Sequence, residues 1–157
     1  TVETTGLALV LVMAAGALGW CLSVSRVPQT LTPLIVETIK NPLVFLLACN
    51  LVLLAVGCFM EVLAAMLILI PIMVPAAISF GIDPVHFGVM MIINLILGTI
   101  HPPIGVVLFI TARIAEISFE KMSWAILPWL VPLLCVLVLV TIFPPLTLWL
   151  PDLVMGR

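Results

Sequence analysis

The chain has 157 residues, of which 65% are apolar and only 8% charged, and its formal net charge is −2. A soluble domain carries roughly 25% charged residues, so a mean hydropathy of +1.49 excludes a water-dispersed globule and points to an all-α polytopic membrane protein. No basic stripe is present for nucleic acid, and Cys21, Cys49, Cys58 and Cys135 match no metal or redox spacing and read as small apolar residues.

The chain starts at Thr1. A basic leader region and a small-residue cleavage site are both missing, so no signal peptide is expected, and the sequence reads as a piece of a longer polypeptide. The first element is taken as residues 1–26. Residues 5–25 form an apolar run that, at about 1.5 Å per residue, crosses a hydrocarbon layer of about 30 Å. Trp20 near its end suits the membrane interface. Residues 27–41 are mixed. Pro28, Gln29, Thr30, Thr32, Pro33, Glu37 and Lys40 accompany Leu34, Ile35 and Ile39 on one helical side. That pattern describes an amphipathic helix lying in the interface or an ordinary connecting loop.

Residues 42–82 are apolar apart from one carboxylate, Glu61. The halves on either side of it are each short for a full crossing. They form either two spans joined by a wet loop or a re-entrant hairpin whose tip, near Gly57 and Glu61, sits at membrane depth. Pro71 and Pro75 remove backbone donors, which predicts a bend or break in the second half. Gly81 can end that helix in the left-handed region, Asp83 can cap the next, and Pro84 suits its first position. His86 falls in the first turn and is expected at the interface.

The next element, residues 83–116, is helical from Pro84 to about Leu97 and is then interrupted by Gly98-Thr99-Ile100-His101-Pro102-Pro103-Ile104-Gly105. Two prolines between two glycines stop a helix, yet apolar sequence continues on both sides. Unpaired peptide groups within lipid cost several kcal/mol each and persist only against protein or a water-filled cavity. Freed carbonyls can ligate a cation, and half-helix N-termini can meet an anion. The alternative is a proline kink packed between helices without a ligand. Asn94, one turn before Gly98, can cap a freed carbonyl or join a site. His101 can contact cargo or be a satisfied structural group. A charged connector holds Arg113, Glu116, Glu120 and Lys121. The last element, residues 117–157, carries a span from Trp124 to Trp149, kinked near its ends by Pro128, Pro132, Pro144 and Pro145.

Several motifs occur in order: Gly57-x-Phe59-Met60-Glu61; Pro71 and Pro75; Gly81-Ile82-Asp83-Pro84-Val85-His86-Phe87-Gly88; Asn94-x3-Gly98-x3-Pro102-Pro103-x-Gly105; and the ending from Phe143-Pro144 to Leu150-Pro151. Nearly the whole chain resembles the C-terminal part of the large membrane subunit of tripartite ATP-independent periplasmic (TRAP) transporters. The resemblance implies the second of two inverted repeats, with a re-entrant hairpin over 42–82 and a discontinuous helix over 83–116 as the transport domain. Residues 1–26 and the 27–41 arm would belong to the scaffold. It further implies sodium-coupled import of small organic anions such as C4-dicarboxylates or sialic acid by an elevator motion. Expected partners are a soluble periplasmic substrate-binding protein, a small membrane subunit, the N-terminal remainder of the large subunit and membrane lipid, in a bacterial or archaeal cytoplasmic membrane. Candidate sodium-binding residues are Gly57, Phe59, Met60, Gly98, Thr99, Pro102 and Gly105. Candidate substrate-binding residues are Glu61, Asn94, His101 and Pro103. Sodium is the coupling ion, and no other metal and no cofactor is expected. Two positions depart from the family: Glu61 stands where Asp is frequent, and His101 where Thr is frequent. A lost hydroxyl at 101 would alter the solute or ion site while leaving backbone carbonyls in place. An enzyme is not expected, because HExxH and GxSxG are absent. The competing functions are another secondary transporter, exchanger or channel of similar build, or a structural anchoring subunit.

Overall fold

The computed structural model describes residues 2–156. Thr1 and Arg157, the outer ends of the first and last expected elements, lie outside the described residues. Eight helices follow one another: α1 (Val2–Val24), α2 (Val27–Thr38), α3 (Pro42–Phe59), α4 (Val62–Ser79), α5 (Pro84–Thr99), α6 (Val106–Ile114), α7 (Phe119–Ile142) and α8 (Pro145–Met155). No strand occurs among the described residues. Three helices, α3, α4 and α7, are long and apolar enough to cross a membrane, and α1 with α2 forms a further apolar stretch bent by 70°.

The starts of these helices follow from local chemistry. Asn41 accepts from Leu43 N–H at 2.9 Å and Asp83 from Val85 N–H at 2.7 Å, each just ahead of a proline in the first turn. Glu61 Oε2 accepts from Ala64 N–H at 2.9 Å and so caps α4. These side chains satisfy amides that have no partner within their own helix. Between α1 and α2 the chain turns at Arg26, whose φ of 56° is left-handed. The segment after it is a helix, not a loop. The left-handed Gly81, φ 74°, stands between α4 and α5, as its sequence context predicts.

Helix α5 runs alongside α3 in the same direction. Phe45 and Phe87 stack near the start of both helices, with ring centroids 6.2 Å apart, and the backbones meet near their ends at Gly57 and Gly98. Helix α4 returns antiparallel to α3, so that Phe80 beyond its end stacks on Phe45 at 4.7 Å. The buried core lies between these three helices and α7, with Leu53, Met90, Met91, Leu95 and Leu137 inside it. Helices α1 and α2 lean on α4 instead.

Three expectations meet the structure in particular ways. Helix α4 passes through Pro71 and Pro75 without a break. Pro71 has no N–H for the Leu67 carbonyl four residues earlier, but Gly19 of α1 lies so close that an added methyl would collide with that oxygen, an approach suited to a weak Cα–H···O contact. The last span is not one helix from Trp124 to Trp149. It stops at Ile142, because Phe143, ahead of Pro144, leaves helical geometry (φ −112°, ψ 85°), and α8 follows as a separate helix. His86, whose place at the interface is a matter of depth, is covered by protein there: it is 1% exposed, because α8 folds over the start of α5 and sets Thr147 Oγ1 2.7 Å from His86 Nδ1.

The candidate site at the hairpin tip and the helix break

The turn between α3 and α4 and the break between α5 and α6 lie at the same end of the α3–α5 pair. Glycine makes this possible. A methyl at position 98 would sit 2.7 Å from Gly57 Cα and 2.9 Å from Leu54 O. One at position 57 would sit 2.7 Å from Leu95 O and 3.1 Å from Gly98 Cα. The two helices therefore touch backbone to backbone. In lipid, where apolar burial between helices gains little, such close approach is a main source of helix association. Immediately beyond, Cys58 Sγ lies 3.7 Å from the His101 carbonyl, joining tip to break.

The α5 ladder tightens before it ends: Ile100 N–H donates to Leu97 O at 3.2 Å and His101 N–H to Gly98 O at 3.1 Å. Pro102 and Pro103 then provide no amide hydrogens, and the peptide bond between them is cis. Gly105 is left-handed, φ 47°, and starts α6 without a side-chain cap. The carbonyl oxygens of Thr99 and His101 both come within 3.1 Å of the point where a Gly105 Cβ would stand. Only glycine leaves that space, and the two oxygens flank it. The Thr99 hydroxyl itself is turned back to Ile96 O at 2.7 Å.

Four helix ends thus gather in one region. Helices α3 and α5 end there, bringing carbonyl-rich, partially negative termini. Helices α4 and α6 start there, bringing amide-rich, partially positive ones. An open groove of about 340 Å³ runs along this meeting point, lined by Leu54, Cys58, Phe59, His101, Pro102 and Pro103 among others. Gly57, Phe59, Met60, Gly98, Thr99, His101, Pro102, Pro103 and Gly105 all lie at the tip or the break. Phe59 is 65% exposed, and Met60 packs against the core. Glu61 belongs to the same turn, with its carboxylate engaged in the α4 cap.

Asn94 is placed differently. It is fully buried between α3 and α5, where its Nδ2 donates to Asn50 Oδ1 at 2.5 Å. Asn50 Nδ2 in turn donates to Thr141 Oγ1 of α7 at 2.9 Å. Sequence reasoning passed over Asn50 and Thr141. The available signal was an amide in the middle of an apolar run, which hydrocarbon does not tolerate without a partner. Among the described residues, no group of three or more His, Cys, Asp or Glu side chains could hold a metal ion.

Comparison with known proteins identifies the family. Residues 1–146 match the family model for the tripartite ATP-independent periplasmic transporter DctM component. The chain is 46% identical to the sialic acid TRAP transporter large permease protein SiaM of Vibrio cholerae over 99% of its own length and 36% of that protein's. It is 40% identical to the C4-dicarboxylate TRAP transporter large permease protein DctM of the same organism, over 86% of the chain and 30% of the relative. It is 36% identical to the isethionate TRAP transporter permease protein DctMQ of Oleidesulfovibrio alaskensis, over 93% of the chain and 23% of the relative. The chain therefore spans about a third or less of these relatives, and it belongs to the DctM component family of tripartite ATP-independent periplasmic transporters.

Proposed function

We propose that this chain forms part of the large membrane subunit of a sodium-coupled transporter that imports small organic anions handed over by a periplasmic binding protein. The observation that carries the reading is the convergence of the hairpin turn with the helix break, where four helix ends and the Thr99 and His101 carbonyls meet. Carbonyl-bearing ends suit a dehydrated cation and amide-bearing ends suit a carboxylate or sulfonate, so one locus can bind both and couple them. Relatives are named for sialic acid, C4-dicarboxylates and isethionate; each of these solutes is an organic anion, which is the cargo class proposed here.

In this reading α3 and α4 form a re-entrant hairpin, α5 and α6 are the two halves of one discontinuous helix, and both belong to the second of two repeats. The order of the glycine and proline motifs supports that placement. Gly57, Phe59, Met60, Gly98, Thr99, Pro102 and Gly105 would surround sodium. Glu61, His101 and Pro103 would face the solute, with Asn94 held behind them. A small membrane subunit and the rest of the polypeptide would complete the assembly in the cytoplasmic membrane, and the hairpin body would move as an elevator against the scaffold.

The test is uptake by proteoliposomes containing the whole membrane complex, with its binding protein supplied outside. An inward sodium gradient is expected to drive accumulation, and dissipating the gradient is expected to abolish it. Accumulation indifferent to sodium would overturn the coupling. Cysteines placed singly along residues 48–66 should be labelled by an impermeant thiol reagent near the tip in a manner that changes with sodium and solute. Constant strong labelling around Glu61 would make the turn a plain wet loop.

A further inference from the structure

The buried chain of hydrogen bonds through Asn94, Asn50 and Thr141 has a direction. Thr141 Oγ1 donates its hydrogen to the Leu137 carbonyl at 2.7 Å. Its oxygen is therefore left to accept, and it does so from Asn50 Nδ2 at 2.9 Å. With the Asn50 amide oriented in this way, Asn50 Oδ1 must accept, and it takes the Asn94 Nδ2 hydrogen at 2.5 Å. A main-chain carbonyl on α7 thus sets the orientation of two amides on α3 and α5. Asn50 is 5%, Thr141 1% and Asn94 0% exposed, so all three links are buried. Lost links in such a setting are costly, because the group left behind is buried and unpaired.

The chain of bonds sits between two fixed points on the same helix pair. On one side Phe45 stacks on Phe87; on the other Gly57 and Gly98 touch. Stacked rings tolerate sliding, and the glycine contact, though close, carries no directional hydrogen bond. The amide–amide bond fixes one register, because a shift of one helical step would separate its atoms. We infer that Asn50 and Thr141 are positioning residues: through Asn94 they hold α3 and α5 in the one register that sets the hairpin turn against the helix break. This inference rests on the reading of that meeting point as the transport site. Neither residue lines the groove there.

The experiment uses the complete membrane complex in proteoliposomes. Thr141→Val keeps the shape and removes the hydroxyl; Thr141→Ser keeps the hydroxyl. The sodium concentration for half-maximal uptake is expected to rise roughly threefold or more in Thr141→Val, a smaller effect than the ~10–100-fold typical of groups directly behind ion ligands. The maximal rate and the amount of assembled complex should stay near wild type, and Thr141→Ser should restore the half-saturation. Thr141→Ala gives the same comparison should the valine variant not assemble. A second readout does not depend on sodium. Cys58 is 4% exposed and packed on the break, so with the other cysteines replaced its rate of modification reports the fit of tip to break, and Thr141→Val should increase it. If half-saturation and Cys58 reactivity are both unchanged while only thermal stability falls, the chain of bonds is structural glue and the inference is overturned. If Cys58 reacts faster but wild-type uptake ignores sodium, the positioning role stands and the sodium reading of the site fails.

Discussion

Gly57 and Gly98 bear on the site more directly than any charged residue, because their missing side chains set how closely tip and break approach. In Gly98→Ala the new methyl would overlap the Gly57 backbone at 2.7 Å, and backbone cannot swing aside as a side chain can. Forced separation of this kind costs about 1–3 kcal/mol, and thermal unfolding of the complex should show the loss together with reduced uptake. Gly88 lies on the same helix with nothing within 4 Å of an added methyl. Gly88→Ala should stabilise by about 0.5–1 kcal/mol through helix propensity alone, so equal damage from both variants would mean that the contact is not the cause. That Gly57, Gly98 and Gly105 stand at helix ends was legible in the sequence, since glycine beside a turn or a double proline marks such places. The amide of Asn50 inside an apolar run was a signal, but its pairing with Thr141 was not legible, because a hydrogen bond across 91 positions of chain leaves no local pattern. Glu61 illustrates the intermediate case. Its place in the turn was readable, whereas its engagement with Ala64 N–H depends on how the turn closes.

At the scale of elements, the starts of α3 and α5 were readable from their Asn-Pro and Asp-Pro pairs, and the α5–α6 break from its prolines. Proline did not break α4, because its effect depends on neighbours in space. A carbonyl deprived of its helical donor need not break the helix if another helix covers it, and Gly19 of α1 lies against Leu67 O. Gly19→Ala should therefore push α1 away from α4 at a cost of about 1–3 kcal/mol. Pro71→Ala, which returns an N–H to that oxygen, should make α4 less dependent on α1 and soften the effect of Gly19→Ala when the two are combined. Melting temperatures of the single and double variants test this, because strictly additive shifts would show that the two positions do not share the carbonyl. The separation of α7 from α8 was the converse lesson: adjacent Pro144 and Pro145 end a helix outright, and the chain then turns back to bury His86 beneath Thr147.

The helices sort into two groups that meet on one element. Helices α3, α5 and α7 are tied by the glycine contact and the buried amides, whereas α1 and α2 rest on α4. If the hairpin body moves against a scaffold during transport, the surface that must yield within this chain is the one between the α1–α2 pair and α4. Gln29 and Ser79 are both exposed and line a shared groove of about 320 Å³ across that surface. Cysteines at these two positions, joined by a short reducible bifunctional thiol reagent in the assembled complex, should stop uptake, and reduction of the linker should restore it. The single-cysteine variants treated in the same way provide the control. Glycine-tight contact between α1 and α4 argues that any such slide is stepwise rather than continuous, since a helix seated on a neighbour's carbonyl must leave that seat fully before it can take another. Unimpaired uptake with the linker in place would mean that α2 travels with the hairpin, and the dividing surface would then lie between this chain and the remainder of the subunit.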